Sequence, residues 1–408
     1  MGGVTIDHLI SLIVLLGAIL VFIALFNQTI QTAILYQQHR SLADKCSDLL
    51  DNLLLNPGSP LDSPNTTFWG RSDSTPTSFG LQDPEFTQYE LSPFSLMRLD
   101  YSPGNPIHYS KTNMNYSNNT IGPRTSLLVP FNEVINYSTV AGLLGINGTY
   151  GFSLTITPTI TVSVNENQLN PLSLTVTVTG NGYPVADANV SYCLINVTGQ
   201  AQYPSYNINS GAASTNNEGQ AFLGFPGFDG TKTSFAIIVY ARLSGLVGSG
   251  YYTHVLYEDN YVIPLIADFD NGSVLLAHSS DVYGTTNPAA IRYNATLVLL
   301  TEDLSLREMP LDNASGNISP GTYGNIAIPT NNTGIPGVVA ITYEKDQANS
   351  GIILMPWGIS SLSFPVVFGD NSLTREWVAT DMRQVTVNGV SYQAKLALWS
   401  LTGYQVVS

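Results

Sequence analysis

The side chains that could carry chemistry are few and scattered. Five histidines, His8, His39, His108, His254 and His278, do not cluster along the chain. No G-x-S-x-G, H-E-x-x-H or P-loop pattern occurs, so the common nucleophile, zinc and phosphate chemistries have no motif to stand on. The stretch "ADFDNGS" sets Asp268, Asp270 and Asn271 before Gly272. It approaches a calcium loop, but it has one residue too few before the glycine and no later glutamate, and it reads as a polar β-turn. Cys46 and Cys193 are too few for a disulfide scaffold, and no C-x-x-C exists. They read as two buried free thiols, with a Cys46–Cys193 bridge as the alternative. No cofactor, metal or catalytic activity is expected. A nucleic-acid partner is excluded as well: the net charge is −15 and there is no Lys/Arg cluster to displace counterions.

One modification chemistry has many candidate positions. Asn65, Asn115, Asn118, Asn136, Asn147, Asn189, Asn196, Asn271, Asn294, Asn313, Asn317 and Asn331 each begin an N-x-S/T sequon. Some arise by chance in a chain rich in Asn, Ser and Thr, but their density fits a glycosylated outer surface. Charged residues are only 11% of the 408, yet 44% are hydrophobic, so the chain has the material for a core and is not a disordered composition.

The elements that must present these residues begin with a helix. Leu9 to Phe26 carries no charge and one glycine. Those 18 positions make roughly 27 Å of helix, enough to cross a bilayer core. The pattern does not end there. Ile30, Ile34, Leu42, Leu49 and Leu53, with Cys46 among them, continue an apolar stripe at spacings of mostly three, four and seven, until Asn56-Pro57-Gly58 stops it. A lone helix with such a stripe is unstable in water. The stripe is therefore expected to be buried, on the protein's own β domains or on neighbouring copies.

The N-terminal third resembles archaeal type IV pilin-like surface proteins. The features that carry the resemblance are a glycine-ended start "MGG", an uninterrupted apolar stretch and an amphipathic extension. "DLLDNLLLNPGSP", Trp69-Gly70, "FGLQDPEF" and "LSPFSLMRL" follow in that order. The resemblance implies cleavage of a leader after Gly2 or Gly3. Cleavage after Gly2 would put Asp7 fifth in the mature chain, where bacterial pilins carry a glutamate. The sequence departs from the pattern in having no Lys or Arg before the glycine and in its greater length.

Beyond Gly151 the period changes to two. "FSLTITPTITVSV" and "LSLTVTVTG" alternate apolar and polar residues, as half-buried strands do. "PVADANVSYCLI" followed by "STNNEGQAFLGF" is similar to bacterial Ig-like or carboxypeptidase-regulatory-like sandwiches. The expected fold is α+β, mainly β: a long N-terminal hydrophobic helix followed by two Ig-like β-sandwich domains. The expected divisions are a pilin-like helix over 1–55, then a loop-rich connector with a short helix ended by Gly145 over 56–150. An Ig-like sandwich over 151–262 and a second sandwich over 263–408 complete them. "GIILMPWGISSLSFPVVF" is the most apolar stretch outside the helix. Pro356, Gly358 and Pro365 argue against a second span, leaving core strands or an exposed contact patch.

Two functions are compatible with these readings. One is a structural or adhesive subunit of a type IV pilus-like filament, associating with itself or with other pilin-like subunits. The other is a single-pass anchored surface protein that binds a ligand through its Ig-like domains. In both, the helix partners the membrane and the β domains lie outside the cell.

Overall fold

The computed structural model describes residues 3–85, 88–99, 106–117, 119–120, 126–198, 203–258, 261–284, 289–300, 306–346, 349–358, 364–370 and 377–401. A helix from Gly3 to Leu55 is followed by strands in several sheets, so the chain is α+β and mainly β. The helix runs without a proline for 53 residues, about 80 Å at 1.5 Å per residue. Its hydroxyls do not disturb it. Ser11, Thr29 and Thr32 donate to the carbonyls of Asp7, Leu25 and Gln28 one turn back, which satisfies them without water.

The segments quoted for the pilin resemblance converge where this helix ends. Leu81 N donates to Leu53 O at 2.8 Å and Gln82 N to Asn56 O at 3.1 Å, pairing carbonyls that the last helical turn leaves open. Trp69 Nε1 donates to Pro57 O at 2.6 Å. Gly58 turns the chain with φ +77°, and a Cβ there would lie 2.6 Å from Trp69 Nε1. A Cβ on Gly80 would lie 1.9 Å from Asn56 O. Pro-Gly-x-Pro, the tryptophan and Gly-Leu are thus one helix stop. Further along the connector, Asn136 caps the short helix Tyr137–Leu143 by accepting from Thr139 N. Gly145, at φ +67°, follows that helix.

Four antiparallel strands, in the order Val366–Gly369, Tyr150–Pro158, Val390–Ser400 and Ala379–Val387, form the sheet on which the lower helix lies. This pairing crosses the expected boundaries. Tyr150–Pro158 does not open the first sandwich, and the last strands of 263–408 do not close a separate second one. The two ends of the β region meet in one sheet, because alternation identifies a strand and its buried face but not its neighbour.

The sandwich spans Ile160 to His254. Its outer sheet is Gln220–Phe225, Leu172–Gly180 and Ile160–Leu169. Its inner sheet is Ser205–Ser214, Asn189–Thr198, Phe235–Leu243 and Leu246–His254. The strand "FAIIVYARL" shows why it is not a bead on a string. Phe235, Ile237, Val239 and Ala241 fill the sandwich core. Ala236, Ile238 and Tyr240, on the opposite face, enter the large core shared with the helix and the C-terminal strands. A strand buried on both sides reads as a continuous apolar run. Ser234 Oγ to Ser350 O, 2.6 Å, and Val247 N to Ser391 Oγ, 3.1 Å, tie the seam. Between His254 and Phe364, Val262–Asp268, Ser273–His278 and Tyr323–Ala327 form a three-stranded sheet. Ile291–Leu300, Gly337–Asp346 and Asn349–Trp357 lie in another. The apolar stretch beginning at Gly351 is accordingly a core strand as far as Trp357.

Candidate functional site

The long helix is the candidate site, and it has two ends of different kinds. From Asp7 to Ile34 every side chain is exposed, and an 18-residue window there is long and apolar enough to cross a membrane. The bilayer-length segment ends at Phe26. Ile30 and Ile34 lie beyond it and are 40% and 49% exposed. Of the expected stripe, Leu42, Leu49 and Leu53 are buried, together with Cys46, Leu50 and Leu54, in the core formed with the C-terminal strands. Among the described residues the stripe is therefore covered from Leu42 onward and exposed at Ile30 and Ile34.

The lower end is also held by charge. Arg383, on strand Ala379–Val387, donates from Nε to Asp51 Oδ1 at 3.0 Å and from Nη2 to Asp51 Oδ2 at 3.2 Å. Nη2 also reaches Ser47 Oγ at 3.0 Å, and Nη1 reaches Asp381 Oδ1 at 2.8 Å. Tyr89 O–H donates to Asp51 Oδ1 at 3.3 Å. The Asp51 carboxylate, then Asp381, raises the Arg383 guanidinium above its ordinary value, so this cation does not titrate in any working range. Two ring contacts mark where the helix leaves the body: His39 on Trp377, with centroids 4.1 Å apart, and the Lys45 ammonium 5.2 Å from the Tyr150 ring.

A second buried cluster supports the helix stop. Arg98 is buried and donates to the carbonyls of Trp69, Ser74 and Glu133. Glu133 is 4% exposed, and among the described residues no donor reaches its Oε2. Burial, then the neighbouring Asp73 charge, pushes its carboxyl up to about 8. Asp73 in turn accepts from Phe269 N at 3.4 Å. Through Arg98 and Trp69 this cluster connects to the end of the helix.

The other expected positions stay apart from one another. Cys46 and Cys193 are free and buried. Cys46 Sγ lies 3.6 Å from both Ala379 O and Leu396 O, and burial pushes each thiol up to about 11. Asp268 is occupied by its own turn, accepting from Asn271 N and Nδ2. Among the described residues no three His, Cys, Asp or Glu side chains are placed to share a metal. Asn65, Asn115, Asn136, Asn147, Asn189, Asn271, Asn313, Asn317 and Asn331 are exposed, and Asn196 and Asn294 are half-buried. Gly2 and Asn118 lie outside the described residues, and Gly3 is the first residue of the helix.

Arg383, Asp51 and Ser47 are the site residues that sequence reading misses. Ser47 and Asp51 carry a signal, being one turn apart on a helix. Arg383 carries none, since its partner is 332 residues away. No protein-family model and no curated protein matches the chain.

Proposed function

We propose that the chain is a structural or adhesive subunit of an extracellular type IV pilus-like filament. The helix first anchors it in the membrane and then packs against the helices of other subunits. One observation supports this most directly. Ile30 and Ile34 lie past a segment long enough to span a bilayer and are 40% and 49% exposed, with no described residue burying them, although the same stripe is buried from Leu42 onward. Other copies would bury them, at about 1.5–3 kcal/mol per fully buried side chain. Leader removal after Gly2 or Gly3, glycosylation of the exposed sequons and a non-catalytic role belong to the same reading.

A second reading follows from the length of Leu9 to Phe26, which suffices for a single-pass anchor that works alone. Ile34→Asp separates the two. In a filament subunit the variant inserts and its β region folds, but filaments disappear from the cell surface. If cells carrying Ile34→Asp display filaments at the parent level, or the parent protein forms none, the filament reading is wrong and the single-pass anchor stands.

A further inference from the structure

The sandwich between Ile160 and His254 has two outer faces with opposite surroundings. That of the inner sheet is buried in the body. That of the outer sheet carries the side chains alternate to Val162, Val164, Leu174, Val176, Ala221 and Leu223, which all point into the sandwich core. The backbone registers align these outward residues in rows across the three strands. One row is Asn165, Thr175 and Phe222, with Thr175 buried and paired to Asn167, and the next is Ser163, Thr177 and Gln220. At the outward positions of these strands from 161 to 165, 173 to 179 and 220 to 224 there is no charged residue. Glu166, the next carboxylate along the Ile160–Leu169 strand, is engaged by the inner sheet: Tyr252 O–H donates to its Oε2 at 2.7 Å, and exposed Glu218 lies on the turn before Gln220, at the end of the face. A bulge at Glu166–Gln168 adds Asn167, whose Nδ2 donates to Thr175 Oγ1 at 2.7 Å.

Within this uncharged field stands one large apolar group. The Phe222 ring is 65% exposed, and two residues on, Gly224 has nothing within 4 Å of where a Cβ would be. The ring therefore stands out from the sheet with open space beside it. A soluble surface ordinarily mixes charges of both signs. In a chain of net charge −15, a three-stranded face of hydroxyls, amides and one bare ring selects against ionic partners. A second copy would require several large apolar side chains at the centre of the contact, and a single phenylalanine does not supply them. A sugar polymer has the matching chemistry. A pyranose offers a C–H face for an aromatic ring and a rim of hydroxyls for Ser, Thr, Asn and Gln.

We propose that the outer sheet of the sandwich is a binding face for a neutral polysaccharide, with Phe222 stacked on a sugar ring and the accessible hydroxyls and amides beside it, Thr161, Ser163, Asn165 and Gln220, meeting its O–H groups. This proposal is independent of filament assembly.

The test uses the full chain in detergent, with insoluble cellulose, chitin and amylose resin as probes. The expected result is retention on at least one of them that molar salt does not remove, since no charge takes part. Phe222→Ala should weaken that retention about tenfold, while Phe222→Tyr should preserve it. Ser163→Lys, an exposed change at the edge of the face, should weaken it too. Each variant should melt at the parent temperature, so loss of fold would be visible separately. Retention on none of the three probes overturns the proposal. So does retention that salt abolishes, or that neither Phe222→Ala nor Ser163→Lys alters. If Phe222→Ala instead lowers self-association, the face belongs to a second copy and the proposal also fails.

Discussion

The upper and lower parts of the long helix are both apolar, yet one is bare and the other is sealed. Between Leu9 and Ile34 the side chains face outward on all sides, whereas Leu42 to Leu54 contribute six buried residues to a core. Apolar distribution separates them: Leu9 to Phe26 carries no charge, whereas Leu42 to Leu54 includes Asp44, Lys45, Asp48 and Asp51. From Leu9 to Phe26 the helix is apolar around its whole circumference, so no single neighbouring sheet could cover it, whereas the lower part has one apolar face and one sheet to match it. The lower part also has a charged contact at its edge, Asp51 with Arg383, which fixes orientation as well as attachment. A helix built this way has one end committed to its own chain and the other exposed, long and apolar enough to enter a membrane.

The strongest attempt to break this contrast places one charge at each end. Leu53→Asp removes a buried leucine and leaves a carboxylate without a partner. The β region should lose about 5 kcal/mol or more, read as a collapse of its thermal transition. Leu20→Asp should leave that transition unchanged and instead reduce membrane insertion, at roughly 2.5–3.5 kcal/mol for a charge at mid-bilayer. Equal effects on the transition would mean that the two ends are not distinct.

A graded effect comes from pH. The Glu133 carboxyl titrates at about 8 when folded, against an ordinary value of 4.5, so the folded state holds the extra proton. Its contribution to stability is full below about pH 4.5, declines as pH rises and is gone above about 8. Chemical denaturation across that window should show the decline, and Glu133→Gln should flatten it. The effect should appear at the lower end, because Arg98 and Trp69 connect Glu133 to the helix stop. Protease cleavage near Asn56 should increase with pH while the upper helix in detergent micelles is unaffected. A flat profile in the parent protein would remove Glu133 from the account.

The smallest change sharpens the contrast at its charged contact. The Asp51–Arg383 pair is partly exposed, so Arg383→Ala should cost only about 1 kcal/mol, and less at high salt. A double-mutant cycle with Asp51→Ala should show coupling of about 0.5 kcal/mol or more. Without coupling, the leucines alone hold the helix.

Residues 9 to 55 were legible as a helix because their signals are local: apolar period, no interior proline, and Asn56-Pro57-Gly58 at the end. Strands such as Leu172–Gly180 were legible through alternation, whereas that Phe235–Leu243 is covered on both faces shows only in the structure. What stayed hidden depends on partners far along the chain. Nothing in "FSLTITP" tells that it pairs with Val390–Ser400 and not with the strand that follows it. Ile34 and Leu42 have the same character and periodic place, and only the sheet beneath Leu42 makes them different. The same holds for the candidate site. The bare upper stretch was visible in the sequence, while the attachment through Arg383 was not.

The pairing of Tyr150–Pro158 with strands near the end of the chain has a consequence for the order of events during synthesis. Asp51 and Arg383 are 332 residues apart, so at about 5–20 residues per second the ribosome needs roughly 15–70 s to make the second after the first. Throughout that interval the leucines from Leu42 to Leu54 have no sheet to lie on, while the stretch from Leu9 to Phe26 is already able to enter a bilayer. Anchoring by this stretch would therefore precede folding. A nascent chain stalled before Ala379 would be held by its upper helix alone, with the lower helix open to proteases until the last strands arrive.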